Sequence, residues 1–299
     1  MRKAFLQLHM AVFLAGFTGI LGKLITLNEG LLVWYRLLFT VITLWLLYYF
    51  QKKLEQISFK DIVKMAGVGA LAALHWITFY GSIKYSNVSV ALVCFSATGF
   101  FTALFEPFIT GRKFIVSELL LGLLVIGGIS LIFHFDPQYK TGIILGLIAA
   151  LLGGIFPVYS RIFVQRLKSE TVTLYQLSGG FVFLSAILPL YLYLFPADHF
   201  IPTLSDFAWL LVLSWFCTVL AFNLSMASLQ KISAFTANLS YNLEPIYGIA
   251  LAFAVYREDK LLTGTFYLGL LLILMAVALQ TLFFYRRHKN KDSLSNTAA

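Results

Sequence analysis

The sequence predicts an all-α polytopic membrane protein whose ten transmembrane helices form two inverted five-helix repeats. Three observations carry this expectation. Of the 299 residues, 60% are hydrophobic and only 12% are charged, too few polar side chains to cover a soluble domain of this size. Hydropathy separates ten apolar runs, each long enough at about 1.5 Å per residue to cross a hydrocarbon core of roughly 30 Å. Finally, the second half of the chain echoes the first. A formal charge of +9 would also suit a nucleic-acid binder, but the Lys and Arg residues are scattered among the connections and form no basic arm.

The runs cover residues 4–27, 31–50, 62–83, 88–110, 115–133, 142–163, 172–195, 207–228, 234–256 and 262–285. The first follows Arg2 and Lys3; it is too long for a signal-peptide core and lacks a small-residue cleavage site, so it reads as a retained helix. If all ten cross, one side receives Arg2, Lys3, Lys52, Lys53, Lys60, Lys64, Arg112, Lys113, Arg166, Lys168, Lys231, Arg286, Arg287, Lys289 and Lys291. The other receives Lys84, Lys140, Arg257 and Lys260, with Lys23, Arg36 and Arg161 inside spans. Cytoplasmic loops are the basic ones, which puts both termini inside the cell. In the sixth run Gly142, Gly146, Ala150 and Gly154 recur every fourth residue, a stripe that lets another helix approach closely. Pro157, Pro189 and Pro245 each remove a backbone hydrogen bond within a span, and Pro245 is the expected hinge. Cys94 and Cys217 lie far apart in apolar runs and read as small core residues.

A shift of 147 residues lays Lys84-Tyr-Ser86 on Lys231-Ile-Ser233 and Leu121-Gly-Leu-Leu124 on Leu268-Gly-Leu-Leu271, with 11 identities over the 43 positions from Lys84 to Ile126. The units expected are residues 1–137 and 138–285, followed by a polar cytoplasmic tail, 286–299. Five spans per unit is an odd number, which inserts the second unit upside down relative to the first; polar sites between inverted repeats recur in secondary transporters.

The polar residues within spans nominate a site. In 234–256, Glu244 and Pro245 fall near mid-length, and Asn238, Tyr241, Asn242 and Pro245 share one helical face with Glu244 on its flank. A carboxylate at that depth must be paired, protonated or facing water, and exchange of its proton with either side would couple transport to protons. Glu106, also followed by a proline, stands six residues before Arg112, near the interface, where pairing with Arg112 or Lys113 is expected. The substrate cavity is assigned to His9, Phe13, Tyr35, Arg36, His75, Trp76, Tyr80, Tyr175, Gln176, Asn223, Asn238, Tyr241 and Asn242, an aromatic lining with a few hydrogen-bonding groups that suits a small amphipathic solute. Lys23 and Arg161 are expected to snorkel to headgroups.

No GxxxxGK[ST] phosphate loop and no HExxH zinc site occurs, the five histidines are dispersed, and no cofactor or metal is expected. The partners expected are a small solute, protons and the lipid bilayer, with a homodimer left open and nucleic acid excluded.

The ten spans, the half-repeats with Gly122 and Gly269 a few residues into their last helices, the stretch Asn242-Leu-Glu-Pro-Ile-Tyr-Gly248 and the loop Tyr256-Arg-Glu258 resemble the EamA type of the drug/metabolite transporter superfamily, from Leu8 to Leu282. The first half departs in carrying Gly111-Arg112 where the family often has Gly-Glu, and no proline at Thr98. The resemblance implies secondary transport, usually efflux of amino acids, metabolites or toxic compounds across a bacterial inner membrane, and no enzyme activity. Uptake of a vitamin or nucleotide-like solute, and a lipid-handling or intramembrane enzyme protein, are the alternatives.

Overall fold

The computed structural model describes residues 2–135, 137–241, 243–276, 278, 279 and 282; the expected tail, 286–299, and Asn242 lie outside the described residues. Ten spans are present. The helices are α1 (Arg2–Leu24), α2 (Glu29–Phe50), α3 (Phe59–Tyr85), α4 (Val88–Thr110), α5 (Val116–Phe135), α6 (Lys140–Val164), α7 (Ser169–Leu194) and α8 (Leu204–Leu229). The ninth span is described as α9 (Ala234–Tyr241) and α10 (Leu243–Tyr256) on either side of residue 242, and the tenth as α11 (Gly264–Ala276). Seven are individually long and apolar enough to cross a membrane.

Local sequence sets where the helices begin. Asn28 accepts from the Gly30 N–H, Ser58 from that of Asp61 and Asn87 from that of Val90, so α2, α3 and α4 each start on a capping side chain. Thr203 and Asp206 form a reciprocal capping box at α8. At the far end of α4, Gly111 takes the left-handed conformation, with φ of 73°, that ends a helix without steric cost.

The halves interleave. α3 runs along both α6 and α7, α2 packs on α7, α4 on α6 and α10, and α1 on α8 and α10. α5 lies against α4, and its Gly128 meets Gly269 of α11. The α6 stripe faces this arrangement: Gly142 sits against Ser82 and Ser86, Gly146 against Cys94, and Gly154 against Thr98 and Phe101. α4 is interrupted at Ser96-Ala97 although it has no proline there, and the Thr98 hydroxyl donates to the freed Phe95 carbonyl at 2.6 Å. Under the 147-residue shift this interruption corresponds to Leu243-Glu244, immediately before Pro245. α8 departs from α geometry in a π-helical segment, Trp215–Leu220.

The crossing of α3 and α7 is the tightest in the bundle. A Cβ on Gly69 would run into the Gln176 carbonyl oxygen, and one on Gly180 would stand 2.6 Å from the Gly69 carbonyl oxygen. Gly69→Ala should therefore cost about 1–3 kcal/mol through overpacking. Gly67→Ala, whose Cβ would meet nothing within 4 Å, is the matched control. Thermal unfolding of the two variants in detergent checks this, and equal midpoints would contradict so close a crossing.

Candidate functional site

Arg36 is the centre of the site. It lies in α2, 2% exposed, and the bundle is built to hold its charge. Nε donates to Thr218 Oγ1 at 2.7 Å, Nη1 to the Tyr80 hydroxyl at 2.8 Å and Nη2 to the Cys217 carbonyl at 3.3 Å. The guanidinium lies 4.0 Å from the centre of the Trp76 ring, in cation–π contact. Two of these acceptors come from the π-helical segment of α8, where Thr218 Oγ1 donates back to the Leu213 carbonyl at 2.9 Å and so turns a lone pair toward Arg36. Ser214 grips the same residue from behind, donating to the Arg36 carbonyl at 3.1 Å. π-turns of this kind concentrate at functional positions because they release backbone groups from the regular ladder.

Arg36 borders a central cavity of about 90 Å³ enclosed by α1, α2, α3 and α4 from the first half and α6, α8, α9 and α10 from the second. That volume holds several water molecules or a small solute. Its walls are largely aromatic: Trp76 and Phe79 of α3, Phe95 of α4, Phe156 of α6 and Phe222 of α8. Polar groups are few and oriented. His75 bonds through Nδ1 to the Ala149 carbonyl at 2.7 Å; a carbonyl only accepts, so Nδ1 carries the proton and Nε2 remains an acceptor. Gly153 makes room for that ring, since a Cβ there would lie 3.2 Å from it. Asn238 donates to Thr102 Oγ1 at 2.6 Å, and Tyr241 stands beside Ser225. Glu244, 5% exposed, completes the lining. Among the described residues no cation stands within ion-pair distance of Glu244 and none donates a hydrogen bond to it, although Arg36 lies in electrostatic reach across the cavity.

Of the residues assigned to the cavity from sequence, the structure brings together Arg36, His75, Trp76, Asn238 and Tyr241, and Glu244, the expected proton-coupling residue, lines the same cavity. Tyr80 stands one layer back, as the acceptor that seats Arg36. Several others are elsewhere. His9 is exposed, and Phe13, 52% exposed, packs on Phe17 and Tyr247 at the outer surface. Tyr35 donates to the Phe200 carbonyl, Tyr175 packs on Trp45 in a peripheral groove, and Gln176 accepts from Ser160. Asn223 accepts from Tyr48, away from the lining. The reason is shared: helical spacing shows which residues lie on one face, but in a helix apolar all round it does not show which face turns inward.

Sequence reasoning missed Glu258. It lies in the turn after α10, fully buried, where it accepts from Lys23 at 2.7 Å, from the Ser89 hydroxyl at 2.6 Å and from the backbone N–H groups of Val88 and Ser89 at 3.2 and 2.9 Å. A carboxylate of the second half thus closes the N-terminus of α4 in the first. Lys23 does not snorkel, because this carboxylate and the Tyr256 ring, 4.4 Å away, are within its reach. Arg161 likewise turns inward and donates to the Ile232 carbonyl at 3.2 Å. The loop residue Glu258 carried a signal only through its place in the family motif. Glu106 has its expected partner: Arg112 lies 3.1 Å from it and 3.0 Å from Glu118. The other end of the bundle is joined by exposed pairs, Asp61 with Arg166 at 2.6 Å, Lys53 with Glu170 at 3.1 Å, and Glu55 with Lys168.

Comparison with known proteins follows the same outline. The model of the EamA-like transporter family matches residues 2–134 and again 140–282. An uncharacterized transporter of Bacillus subtilis (strain 168), YetK, is 23% identical over 270 residues, 85% of this chain and 80% of that protein. A solved crystal structure, 18% identical, superposes with a TM-score of 0.68 over 96% of this chain and 99% of the other, a likeness of fold alone.

The Glu258 clamp has a pH signature. Burial alone would raise its carboxyl pKa, but the bonds from Lys23 and Ser89 outweigh it and hold the group below the usual glutamate range. A folded-state pKa below the unfolded one contributes stability that is present above the unfolded value and lost as pH falls through the folded one. Glu258→Gln should cost about 1–3 kcal/mol at neutral pH, and the gap in melting temperature from wild type should narrow as the pH is lowered below the ordinary glutamate value of about 4.3. A gap that is constant with pH would show that the charge contributes nothing.

Proposed function

The chain belongs to the EamA-like transporter family, and from that premise we propose that it is a secondary carrier that exports small organic solutes such as amino acids, metabolites or toxic compounds by alternating access. It is a multi-pass membrane protein; we place it in a bacterial inner membrane with both termini in the cytoplasm, on the strength of the charge asymmetry of its loops. The observation that carries the reading is the central cavity, to which each half contributes charged or polar groups: Arg36, His75 and Trp76 from one, Asn238, Tyr241 and Glu244 from the other. A site shared by two oppositely inserted units changes access when one unit rocks against the other. Pro245, immediately after Glu244, lacks the N–H that would hold that turn and is the hinge in this scheme.

Glu244 is the proton-coupling group. It is a carboxylate inside an apolar bundle with no cation within ion-pair distance among the described residues, so it gains or loses a proton according to what the cavity holds and which side it opens to. This supports a carrier driven by the proton gradient, without ATP.

Transport in reconstituted vesicles, tested over an amino-acid and metabolite panel with an imposed pH gradient, should show gradient-driven flux. Glu244→Gln should lower that flux about tenfold or more and flatten its pH dependence. A variant that keeps the wild-type rate and pH profile would exclude coupling through this residue.

A further inference from the structure

We propose that Arg36 is the docking point for a carboxylate of the transported solute, and that the cavity takes small monocarboxylates with an apolar body. This rests on the carrier reading above and deepens it.

The first ground is donor geometry. A guanidinium has five N–H donors in a planar fork. Arg36 uses the one on Nε for Thr218, one on Nη1 for Tyr80 and one on Nη2 for Cys217, which leaves one N–H on each terminal nitrogen. Two N–H groups on neighbouring nitrogens match the two oxygens of a carboxylate, and three anchoring bonds with a stacked indole fix the fork before any solute arrives.

The second ground is charge. Every acceptor on Arg36 is neutral: a threonine hydroxyl, a tyrosine hydroxyl and a peptide carbonyl. Among the described residues no carboxylate lies within ion-pair distance of it, although it is 2% exposed. A buried cation without a contacting counter-ion is costly, and a bound carboxylate supplies one. Glu244 borders the same cavity and acts on Arg36 electrostatically, but it stands beyond ion-pair distance and leaves the fork open.

The third ground is shape and chemistry of the walls. Around the single cation the cavity is lined by Phe79, Phe95, Phe156 and Phe222, and its volume is about 90 Å³. Aromatic walls take an apolar body. One fork suits a single planar anion, whereas a phosphate with two charges and three terminal oxygens would leave acceptors unmet. Glu244 then meets either an ammonium on the same solute or a proton.

Four probes with a common branched body separate the possibilities: 4-methylpentanoate bears only the carboxylate, leucine the carboxylate and the ammonium, 3-methylbutylamine only the ammonium, and 4-methylpentanol neither. Equilibrium binding and thermal unfolding of the purified full-length protein should show 4-methylpentanoate, leucine or both binding and stabilising, and the amine and alcohol doing neither. Comparing the first two tells whether Glu244 takes a proton or an ammonium. Arg36→Lys keeps the charge and loses the fork, and should weaken carboxylate binding by about tenfold or more. Because that variant also disturbs the α2–α8 junction, Thr218→Val, which frees Nε and the Leu213 carbonyl but leaves the Tyr80 and Cys217 anchors, should weaken binding in the same direction by a smaller factor. Amine or alcohol binding as tight as carboxylate binding, no binding of any probe at millimolar concentration, or undiminished binding by folded Arg36→Lys would each overturn the proposal. Carboxylate binding without vesicle transport of any solute would sink the carrier reading and leave this one standing. Transport of solutes without a carboxylate, with no carboxylate bound, would do the reverse.

Discussion

The bundle is organised by the need to bury one guanidinium. Arg36 stands within a membrane-spanning helix, where a charged side chain is costly unless protein groups replace its water. The replacement is spread over two helices: α3 supplies the Trp76 face and the Tyr80 hydroxyl, and α8 supplies Thr218 and the Cys217 carbonyl. Each must hold its register, or a donor is left unmet. The π-helical segment of α8 meets the same demand, presenting the Cys217 carbonyl and the Thr218 hydroxyl to the guanidinium. Since α2 and α3 belong to one half and α8 to the other, the bonds that satisfy the charge also tie the halves together beside the cavity.

The repeat is not symmetric, and its main breach is a single position. Glu258 falls opposite Gly111 under the 147-residue shift, so the carboxylate that closes the start of α4 has no counterpart at the start of α9. There the Ser233 hydroxyl caps the helix, accepting from the Thr236 N–H at 3.1 Å, and Arg161, which the repeat pairs approximately with Lys23, makes do with the Ile232 carbonyl. Arg112, next to Gly111, sits between Glu106 and Glu118. The two ends of the bundle are consequently unequal. One is fastened by a carboxylate with four buried or part-buried bonds; the other is joined mainly by exposed pairs that water screens.

Much of the fold is legible in the residues because bilayer crossing imposes a length, and length is read directly from an apolar run. Eight predicted spans begin and end within about three residues of the helices found, consistent with the usual fraying of helix ends. What cannot be read is rotation. Arg36, His75, Trp76, Asn238, Tyr241 and Glu244 could be nominated because a polar group in lipid needs a partner. Most phenylalanines of the cavity wall could not, since Phe95, Phe156 and Phe222 are no different in sequence from Phe13, which faces outward; Phe79 stood out only by following His75-Trp76 at one helical turn. The α8 π-turn was equally hidden: the residue it faces, Arg36, lies about 180 residues earlier in the chain. Contacts of that range leave no local periodicity.

The polar groups of the cavity also differ in how free they are. Arg36 spends three donors on the scaffold, His75 spends Nδ1 on the Ala149 carbonyl, and Asn238 spends its amide on Thr102, which is itself anchored to the Thr98 carbonyl at 2.9 Å. Each is locked by one set of atoms and presents another to the cavity, so its orientation does not depend on what the cavity holds. Glu244 has no such anchor among the described residues. In the proposed carrier it is the group whose protonation and rotamer answer to the cavity contents, and Pro245, the next residue, leaves its turn of helix short of a backbone bond. Fixed donors beside one unanchored carboxylate give a site that can recognise a solute through rigid groups while registering its arrival through a responsive one.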